Sequence, residues 1–371
     1  MSLARILFIG GLFVVSGCGG SGHAPAPDKP PGTQPTVSLA PENTGDGWTA
    51  STPAAERMDD AQVRAVLEQV RDGNLQGIDS LVVARNGKLV AEGYFNGYDR
   101  NTLHDLRSTG KSFTSALTGI AVDQGLIATA DPLSQHIPDF ERHDNVDARK
   151  RAITVRNLLD MASGFDCNDS DPASPGNEEK MYPKQDWVKF VLDLPMAFDP
   201  GSRSSYCTGG VILLGSIVSY RAGMALDDYA AMWLFGPLDI RSVEWRRDPA
   251  GKATGGGGLK LRPRDAAKLG QLYLDGGTWN GRRVVPAAWV AQSQLATTSI
   301  GTDGYGYLWW KRSFMRGAER QDCFFTSGNG GNFIFVFPAL RLVLTFTGSN
   351  YNSSRSDYPF HFVEPLLNAA G

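Results

Sequence analysis

The sequence predicts an α+β fold in which one antiparallel sheet is built from strands near both ends of the domain and is flanked by helices. Two β-rich runs surround Asn86-Gly87, further β-rich runs follow residue 300, and apolar residues at helical spacing dominate between them. We expect one domain over residues 58–371. Its α/β part covers about 58–125 and 255–371, and an all-helical middle part covers about 126–254.

The domain is expected to open with a helix, a hairpin and a second helix. Asp59 or Asp60 can cap the first helix, whose apolar residues recur at helical spacing up to Gly73. Residues 78–85 and 88–94 are predicted as hairpin strands, because an Asn-Gly pair favours a two-residue turn. The run 114–124 predicts a helix that is apolar on most faces and therefore buried.

The middle and the end of the chain differ in their pattern. Helices are predicted at 153–161, 187–194, 209–223, 226–234 and 263–274, with a last one at 359–369. Strands are predicted at 305–311, 324–327, 332–337 and 340–347. The late strands are expected to join the early hairpin in one sheet.

The first residues have the pattern of an export signal. Arg5 precedes a short apolar run that ends in Val15-Ser16-Gly17-Cys18, a sequence similar to a bacterial lipoprotein cleavage box. Residues 1–18 are thus predicted as a lipoprotein-type signal peptide, with an ordinary secretory signal as the alternative. Residues 19–57, rich in Gly and Pro, are predicted as a disordered tether from a membrane lipid anchor at Cys18 in the periplasm or at the cell surface.

Composition excludes several kinds of partner. The net charge is -3, and the 20% of charged residues form no basic patch, so no nucleic-acid partner is expected. A small neutral substrate fits better. The sequence has no CxxC or HExxH motif, and we expect no metal and no cofactor. Among Cys167, Cys207 and Cys323, a bridge between Cys167 and Cys207 is the first choice, and the odd number leaves one thiol unpaired.

Three stretches contain residues suited to chemistry. Ser108 and Lys111 are one helical turn apart on one face, and burial of that helix would leave the amine poorly solvated, as suits a base. Tyr206 precedes the predicted helix at 209 and could relay protons, or could simply pack at the helix start. Residues 326–332 could bring backbone N–H groups to an oxyanion, or could be only a glycine hairpin turn.

Other features are weaker. No Gly-x-Ser-x-Gly motif is present, and the glycines at 255–258 lack the Lys-Ser/Thr of a phosphate loop, which indicates a flexible turn. The aromatic residues Tyr305, Trp309 and Trp310 could line a cleft, although such residues are more often part of a core or a strand face.

In this order and spacing, the three stretches resemble the serine hydrolases of the β-lactamase and penicillin-binding-protein fold. They are most similar to the class C-like esterase and amidase branch, to which 6-aminohexanoate-dimer hydrolase belongs. The resemblance implies that Ser108 is the acylated nucleophile, Lys111 its activating neighbour and Tyr206 the proton carrier. It also implies an oxyanion hole and substrate-binding region formed by the residues Ser108, Thr208, Asn329, Gly330, Gly331 and Asn332.

Two positions depart from the pattern of that family. Thr208 stands where the family usually has Asn, and Asn329 stands where it usually has Lys or His, a cation that helps to bind a substrate carboxylate. We therefore expect an esterase or an amidase of small linear amides. The alternatives are a β-lactamase or D-alanyl-D-alanine carboxypeptidase, and a binding lipoprotein without catalysis.

Overall fold

The computed structural model describes residues 35–73 and 76–371. The predicted signal peptide, Cys18 and the first part of the predicted tether lie outside these residues. No single helix in the described ranges is long and apolar enough to cross a membrane. The stretches Thr208–Ala222 and Leu226–Phe235, which meet at a bend of 78°, reach that length and composition only as a pair.

Fifteen strands occur in the described chain. In order they are β1 (Thr36–Ser38), β2 (Thr49–Ala50), β3 (Ile78–Arg85), β4 (Lys88–Tyr94), β5 (His104–Asp105), β6 (Val243–Trp245), β7 (Leu259–Leu261), β8 (Thr278–Trp279), β9 (Arg282–Arg283), β10 (Thr298–Ile300), β11 (Asp303–Gly306), β12 (Trp309–Arg316), β13 (Glu319–Gly328), β14 (Asn332–Phe337) and β15 (Leu342–Gly348). The large sheet has the order β1-β4-β3-β15-β14-β13-β12-β11-β10, with β2 paired to β4.

Eleven α-helices accompany these strands in the same ranges. They are α1 (Asp60–Arg71), α2 (Gly110–Asp123), α3 (Ala148–Arg151), α4 (Val155–Leu159), α5 (Glu178–Met181), α6 (Trp187–Leu192), α7 (Thr208–Ala222), α8 (Leu226–Ala230), α9 (Pro263–Leu274), α10 (Ala287–Ser293) and α11 (Phe360–Ala369). The predicted α+β class is confirmed.

The two ends of the domain meet in the middle of the sheet. Asn86 and Gly87 have φ angles of 53° and 82°, the left-handed values that a tight two-residue hairpin turn requires. The returning strand β15 pairs antiparallel with β3, so that Leu81 faces Phe346 across the ladder. The sheet is therefore assembled from the early hairpin and the late strands, as the sequence predicted.

Side chains alternate between two hydrophobic cores on the two faces of the sheet. Along β3, Leu81 and Val83 pack with α1 and α11, while Val82 and Ala84 face the core that contains α2, α7 and α9. Because α2 has layers packed on most of its faces, all of its residues from Gly110 to Ala121 are buried. The core that contains α2, α7 and α9 borders the site described below.

The tether prediction is wrong for residues 36–57. Strands β1 and β2 pair with opposite ends of the β4 edge that faces away from β3, and Trp48 is buried with its indole N–H donating to the carbonyl of Arg264 at 3.0 Å. The Arg264 guanidinium makes a two-pronged ion pair with Glu92, with N–O distances of 2.7 and 2.8 Å. The buried Trp48 indole and the pairing of β1 and β2 with β4 therefore order residues 36–57, although their composition resembles that of a disordered linker.

The regular structure in the middle of the chain consists mostly of helices, which are short apart from α7 and are joined by loops. One short strand, β6, interrupts it and joins β5 and β7 in a three-stranded sheet. Strand β5 leads directly into the turn before α2, so this small sheet links the helical region to the stretch that contains Ser108.

Candidate active site

Ser108 lies on a short 3-10 turn, residues 107–109, directly before α2. The preceding residue, Arg107, has a φ of 51°, a left-handed conformation that is unfavourable for a residue with a β-carbon. The side chain of Asp105 accepts a hydrogen bond from the Arg107 backbone N–H at 2.9 Å and thereby supports this turn. Ser108 is left half-buried at the edge of a cleft.

Lys111 lies one turn further along α2, and only 2% of its surface is exposed. Its Nζ donates to Ser108 Oγ at 2.8 Å and to the carbonyl of Gly256 at 2.7 Å. The glycines at 255–258 therefore do more than make the predicted flexible turn, because they supply an acceptor to this amine. A β-carbon at Gly256 would lie 2.8 Å from Thr208 Cγ2, so only glycine fits there without displacement.

Tyr206 comes from the loop before α7 and faces the same amine. The Lys111 Nζ lies 5.1 Å from the centroid of the Tyr206 ring. Trp310 stacks on the Tyr206 ring, at 5.7 Å and 26°, and Tyr305 packs edge-on at 6.4 Å. The structure thus brings the predicted Ser108, Lys111 and Tyr206 together, although 95 residues separate the lysine from the tyrosine (206 − 111).

The three aromatic candidates differ in their placement. Trp309 is fully buried in the core against Tyr273, at 4.5 Å between ring centroids. Tyr305 is also buried, and Trp310 is partly exposed where it covers Tyr206. Trp310 is therefore the aromatic residue of this group that combines contact with Tyr206 and access to solvent.

A disulfide bond at the neighbouring residue, Cys207, fixes the loop that carries Tyr206. Cys207 is bonded to Cys167, the pair favoured from the sequence, with their Cα atoms 5.5 Å apart. Cys323 is a buried free thiol in the sheet. The Ser205 hydroxyl also donates to the Cys167 carbonyl at 2.7 Å, so the two segments are joined on both sides of Tyr206.

Asp169 is a site residue that the sequence reasoning missed. It is two residues from Cys167, and its carboxylate accepts the backbone N–H of Thr208 at 2.6 Å. Burial, reinforced by the negative charge of Glu178, raises the pKa of Asp169 to about 6, although Lys111 and Thr208 act in the opposite direction. The sequence carried no signal beyond a loop-like Asp-Cys-Asn-Asp, because the pairing depends on a contact across the fold.

The end of β13 flanks the serine. Pairing with β12 ends at Phe325, whereas pairing with β14 continues to Gly328, so residues 326–328 have a sheet partner on one side only. A β-carbon at Gly328 would collide with the carbonyl of Leu106, which shows how closely this strand approaches the serine turn. The Thr109 hydroxyl lies 3.1 Å from Thr326 Oγ1 and ties the two together.

The asparagine and glycine residues after β13 have separate positions. Asn329 lines the cleft with Ser108, and its amide exchanges hydrogen bonds with Asn352 at 2.6 and 2.8 Å. Gly330 and Gly331, with φ of 99° and 98°, form the turn behind it. Asn332 is fully buried, and its amide donates to the Asn329 carbonyl at 2.9 Å. Its side chain therefore supports the turn and stays out of the cleft.

Two residues at the end of β13 lie beside the serine turn. Thr326 on β13 contacts Thr109 of the serine turn, and Asn329 follows the end of the strand. Neither residue is a cation. The two arginines that line the cleft, Arg107 and Arg246, lie outside β13. Arg107 lies over the Tyr351 ring at 4.3 Å, and Arg246 lies over the Tyr182 ring at 4.8 Å.

The cleft beside Ser108 mixes charged and aromatic groups. Its side-chain lining comes from Asp105, Arg107, Ser108, Glu178, Glu179, Tyr182, Trp187, Thr208, Ile212, Arg246, Thr254, Asn329 and Asn352. Of these, the sequence singled out Ser108, Thr208 and Asn329. The others come from β5, the serine turn, α5, α6, α7 and the loops that contain Arg246, Thr254 and Asn352. The approach of these segments to one another could not be predicted from local patterns.

The chain has clear relatives among known proteins. Residues 62–359 match the beta-lactamase family. The 6-aminohexanoate-dimer hydrolase of Paenarthrobacter ureafaciens is 26% identical over 265 residues, covering 64% of this chain and 65% of that protein. An inferred D-alanyl-D-alanine carboxypeptidase of Salmonella agona is 26% identical over 191 residues, covering 46% of this chain and 43% of that protein. Both matches span less than two thirds of the relative's length.

Solved structures share the fold. An inferred 6-aminohexanoate-dimer hydrolase from Bacillus anthracis superposes with a TM-score of 0.67 at 20% identity, covering 84% of this chain and 80% of the other. That likeness bears on the architecture alone. Since the family match covers well over half of the residues and the fold agrees with it, the chain belongs to the beta-lactamase family, whose relatives here are hydrolases.

Proposed function

We propose that the protein is a serine hydrolase that forms an acyl-enzyme on Ser108 and acts as an esterase or an amidase of small linear amides. The observation that carries this proposal is the 2.8 Å hydrogen bond between Lys111 Nζ and Ser108 Oγ, with the Tyr206 ring beside the same amine. A buried amine, a hydroxyl and a phenol in contact are the groups that acyl transfer needs.

The reaction follows from these contacts. Ser108 Oγ attacks the substrate carbonyl carbon and its proton passes to Lys111 Nζ, while negative charge develops on the carbonyl oxygen. The backbone N–H of Ser108 and one at the end of β13, beyond its pairing with β12, stabilise that oxyanion. Tyr206 gives its phenol proton to the leaving alcohol or amine as the bond between that group and the carbonyl carbon breaks, and it takes the proton held by Lys111 in return. Water then attacks the acyl-enzyme and gives a proton to the same groups, which return one proton to Ser108 as the carboxylic acid leaves.

The surroundings of the serine favour an ester or a linear amide over a penicillin. Thr326 and Asn329 place uncharged groups where the strand meets the serine turn. Without a cation there, a carboxylate fixed beside the reacting bond has no partner on the strand. The similarity to 6-aminohexanoate-dimer hydrolase agrees with a linear amide, and the shorter match to the inferred carboxypeptidase keeps a D-alanyl-D-alanine substrate as the second candidate.

One set of assays tests the reaction and the substrate class. The purified protein is incubated with p-nitrophenyl esters of graded acyl length, a linear aminohexanoate dimer, a D-alanyl-D-alanine peptide and a chromogenic cephalosporin. We expect turnover of the esters or the linear amide and slow or no turnover of the cephalosporin. Faster turnover of the peptide or the cephalosporin would favour the second candidate.

Covalent labelling tests the nucleophile. A fluorophosphonate should label the parent protein, and Ser108→Ala should abolish both labelling and ester turnover. Ser202→Ala, which removes an exposed hydroxyl, is the matched control and should behave like the parent. Labelling that survives in Ser108→Ala would reject Ser108 as the nucleophile, and a parent inert to every fluorophosphonate and ester would favour a binding lipoprotein.

We also propose that the protein is exported and anchored in a membrane through a lipid on Cys18. Support comes from the short apolar run that ends at this cysteine. Cells expressing the protein are fed a labelled fatty acid, and the label should appear in the parent and vanish in Cys18→Ala. Cys323→Ala serves as the control that keeps the label. Equal labelling of parent and Cys18→Ala would reject the anchor.

A further inference from the structure

Asp169 joins two helix starts to one buried carboxylate. One oxygen accepts the backbone N–H of Thr208, the first residue of α7, at 2.6 Å. The other oxygen accepts the backbone N–H of Glu178, the first residue of α5, at 3.0 Å. Both oxygens act as acceptors of backbone N–H groups, an arrangement that suits the ionised carboxylate best.

The backbone of Asp169 is tied to the tyrosine itself. Its N–H donates to the Tyr206 carbonyl at 2.9 Å. Together with the Cys167–Cys207 disulfide and the bond from its carboxylate to Thr208, this contact joins the segments 167–169 and 206–208 at three successive points. Tyr206 therefore has little freedom to move relative to Asp169.

Charged groups of the site act on the carboxylate. Lys111 on α2 is the cation that lowers its pKa, and Glu178 on α5 is the anion that raises it together with burial. Burial and Glu178 hold the pKa of Asp169 near 6, so the carboxylate is charged at neutral pH and loses its charge in mildly acidic solution.

We propose that Asp169 is a positioning residue for the acyl-transfer reaction: it fixes the segment that carries Tyr206 and provides the negative charge that stabilises Lys111 when it takes the proton of Ser108. The inference rests on the function proposed above. Asp169 gains and loses no bond in the reaction. Lys111 becomes an ammonium in the attack step, and a carboxylate already held beside the site lowers the energy of that charge without reorganisation.

A purely structural role would give a different result. If Asp169 only capped the two helix starts, its replacement would lower the stability of the fold and would lower the labelling rate of Ser108 by the same factor at every pH. If its charge supports Lys111, the rate must follow the ionisation of Asp169. Above about pH 6 the charge is present and the reaction is fast, and below it the carboxyl is protonated and that support is lost.

The test measures the rate of fluorophosphonate labelling of Ser108 against pH, in the full-length protein. For the parent we expect a rate that falls as the pH drops through about 6. Asp169→Asn should label roughly tenfold or more slowly near pH 8 and should lack that fall. Asp171→Asn changes an exposed aspartate of the same loop and should keep the parent profile. Thermal unfolding and intact-mass analysis of the disulfide show whether each variant is folded.

A second variant protects the test against misfolding of Asp169→Asn. Glu178→Gln keeps the backbone N–H that binds Asp169 but removes the charge that raises its pKa, so the fall in rate should move to lower pH. A folded Asp169→Asn with the parent profile, or a Glu178→Gln profile that does not move, would overturn the role of Asp169 and leave the nucleophile in place. A parent that is not labelled at any pH would reject the proposed function and this inference with it.

Discussion

Lys111 Nζ contacts both the nucleophile candidate and the glycine turn opposite, since it donates to Ser108 Oγ at 2.8 Å and to the Gly256 carbonyl at 2.7 Å. The second bond fixes the amine beside Ser108, at the buried start of α2. Lys111 Nζ therefore stays within hydrogen-bond distance of the serine hydroxyl with which it exchanges a proton in the proposed reaction. The consequences of this pair of contacts can be tested one group at a time.

Replacing the amine should remove most of the activity. In Lys111→Ala, Ser108 lacks its proton acceptor, and kcat/KM for a p-nitrophenyl ester should fall by roughly 10²–10⁴. Initial-rate assays measure the fall in kcat/KM, and circular dichroism confirms that the variant is folded. Lys184→Ala, a change at an exposed lysine, is the control and should stay within about twofold of the parent. A Lys111→Ala enzyme with parental kcat/KM would contradict the assignment.

Removing only the phenol hydroxyl should separate the proton carrier from the aromatic packing. Tyr206→Phe keeps the ring stacked on Trp310 at 5.7 Å, so we expect little change in stability and a loss of roughly 10²–10⁴ in kcat. The loss should be larger for amides than for p-nitrophenyl esters, because an amine needs a proton in order to leave. Tyr220→Phe, an exposed tyrosine on α7, provides the comparison. Equal losses for activated esters and amides would indicate that Tyr206 does not protonate the leaving group.

The disulfide should contribute to both stability and activity. It closes a loop between positions 40 residues apart, and such a crosslink stabilises a fold by about 2–4 kcal/mol. Reduction, or the double change Cys167→Ala and Cys207→Ala, should lower the melting temperature and free the Tyr206 loop, which lowers kcat. Melting curves and ester assays with and without a reductant measure both effects. In the double variant the reductant should have no further effect, and a parent insensitive to reduction would contradict this role.

Much of the sheet could be predicted because its signals are local. The Asn86-Gly87 turn and the alternating apolar strands define the central hairpin, and β14 and β15 follow the same pattern. The prediction of one strand at 305–311 is wrong, because Tyr307 and Leu308, with φ of 52° and 64°, form a turn between the paired strands β11 and β12. Strands β12 and β13 extend further than predicted, to Arg316 and from Glu319, because charged residues on their outer ends hide the strand pattern. Pairing across the sheet supplies the hydrogen bonds that local propensity does not indicate.

The site residues that could be predicted from the sequence are those that belong to short motifs. Ser108, Lys111 and Tyr206 lie in such motifs, and the structure brings them together. Asp169 and Gly256 do not, because their roles come from contacts with residues 39 and 145 positions away. Long-range contacts of this kind depend on the packing of α2 against α7, which no local pattern specifies.

Gly256 allows a direct test of the contact that fixes the amine. In Gly256→Ala the new β-carbon would lie 2.8 Å from Thr208 Cγ2 and 3.2 Å from Ile212 Cγ1, so the 255–258 turn must shift away from α7. The shift moves the carbonyl that accepts the bond from Lys111 and tilts the amine away from Ser108. We expect kcat/KM to fall by roughly tenfold or more, since a displacement of about 1 Å can cost a hundredfold. Gly210→Ala places its β-carbon 3.6 Å from Leu158, an ordinary contact, and should change the rate far less. Similar rates for both variants would show that the Gly256 carbonyl does not control the position of Lys111.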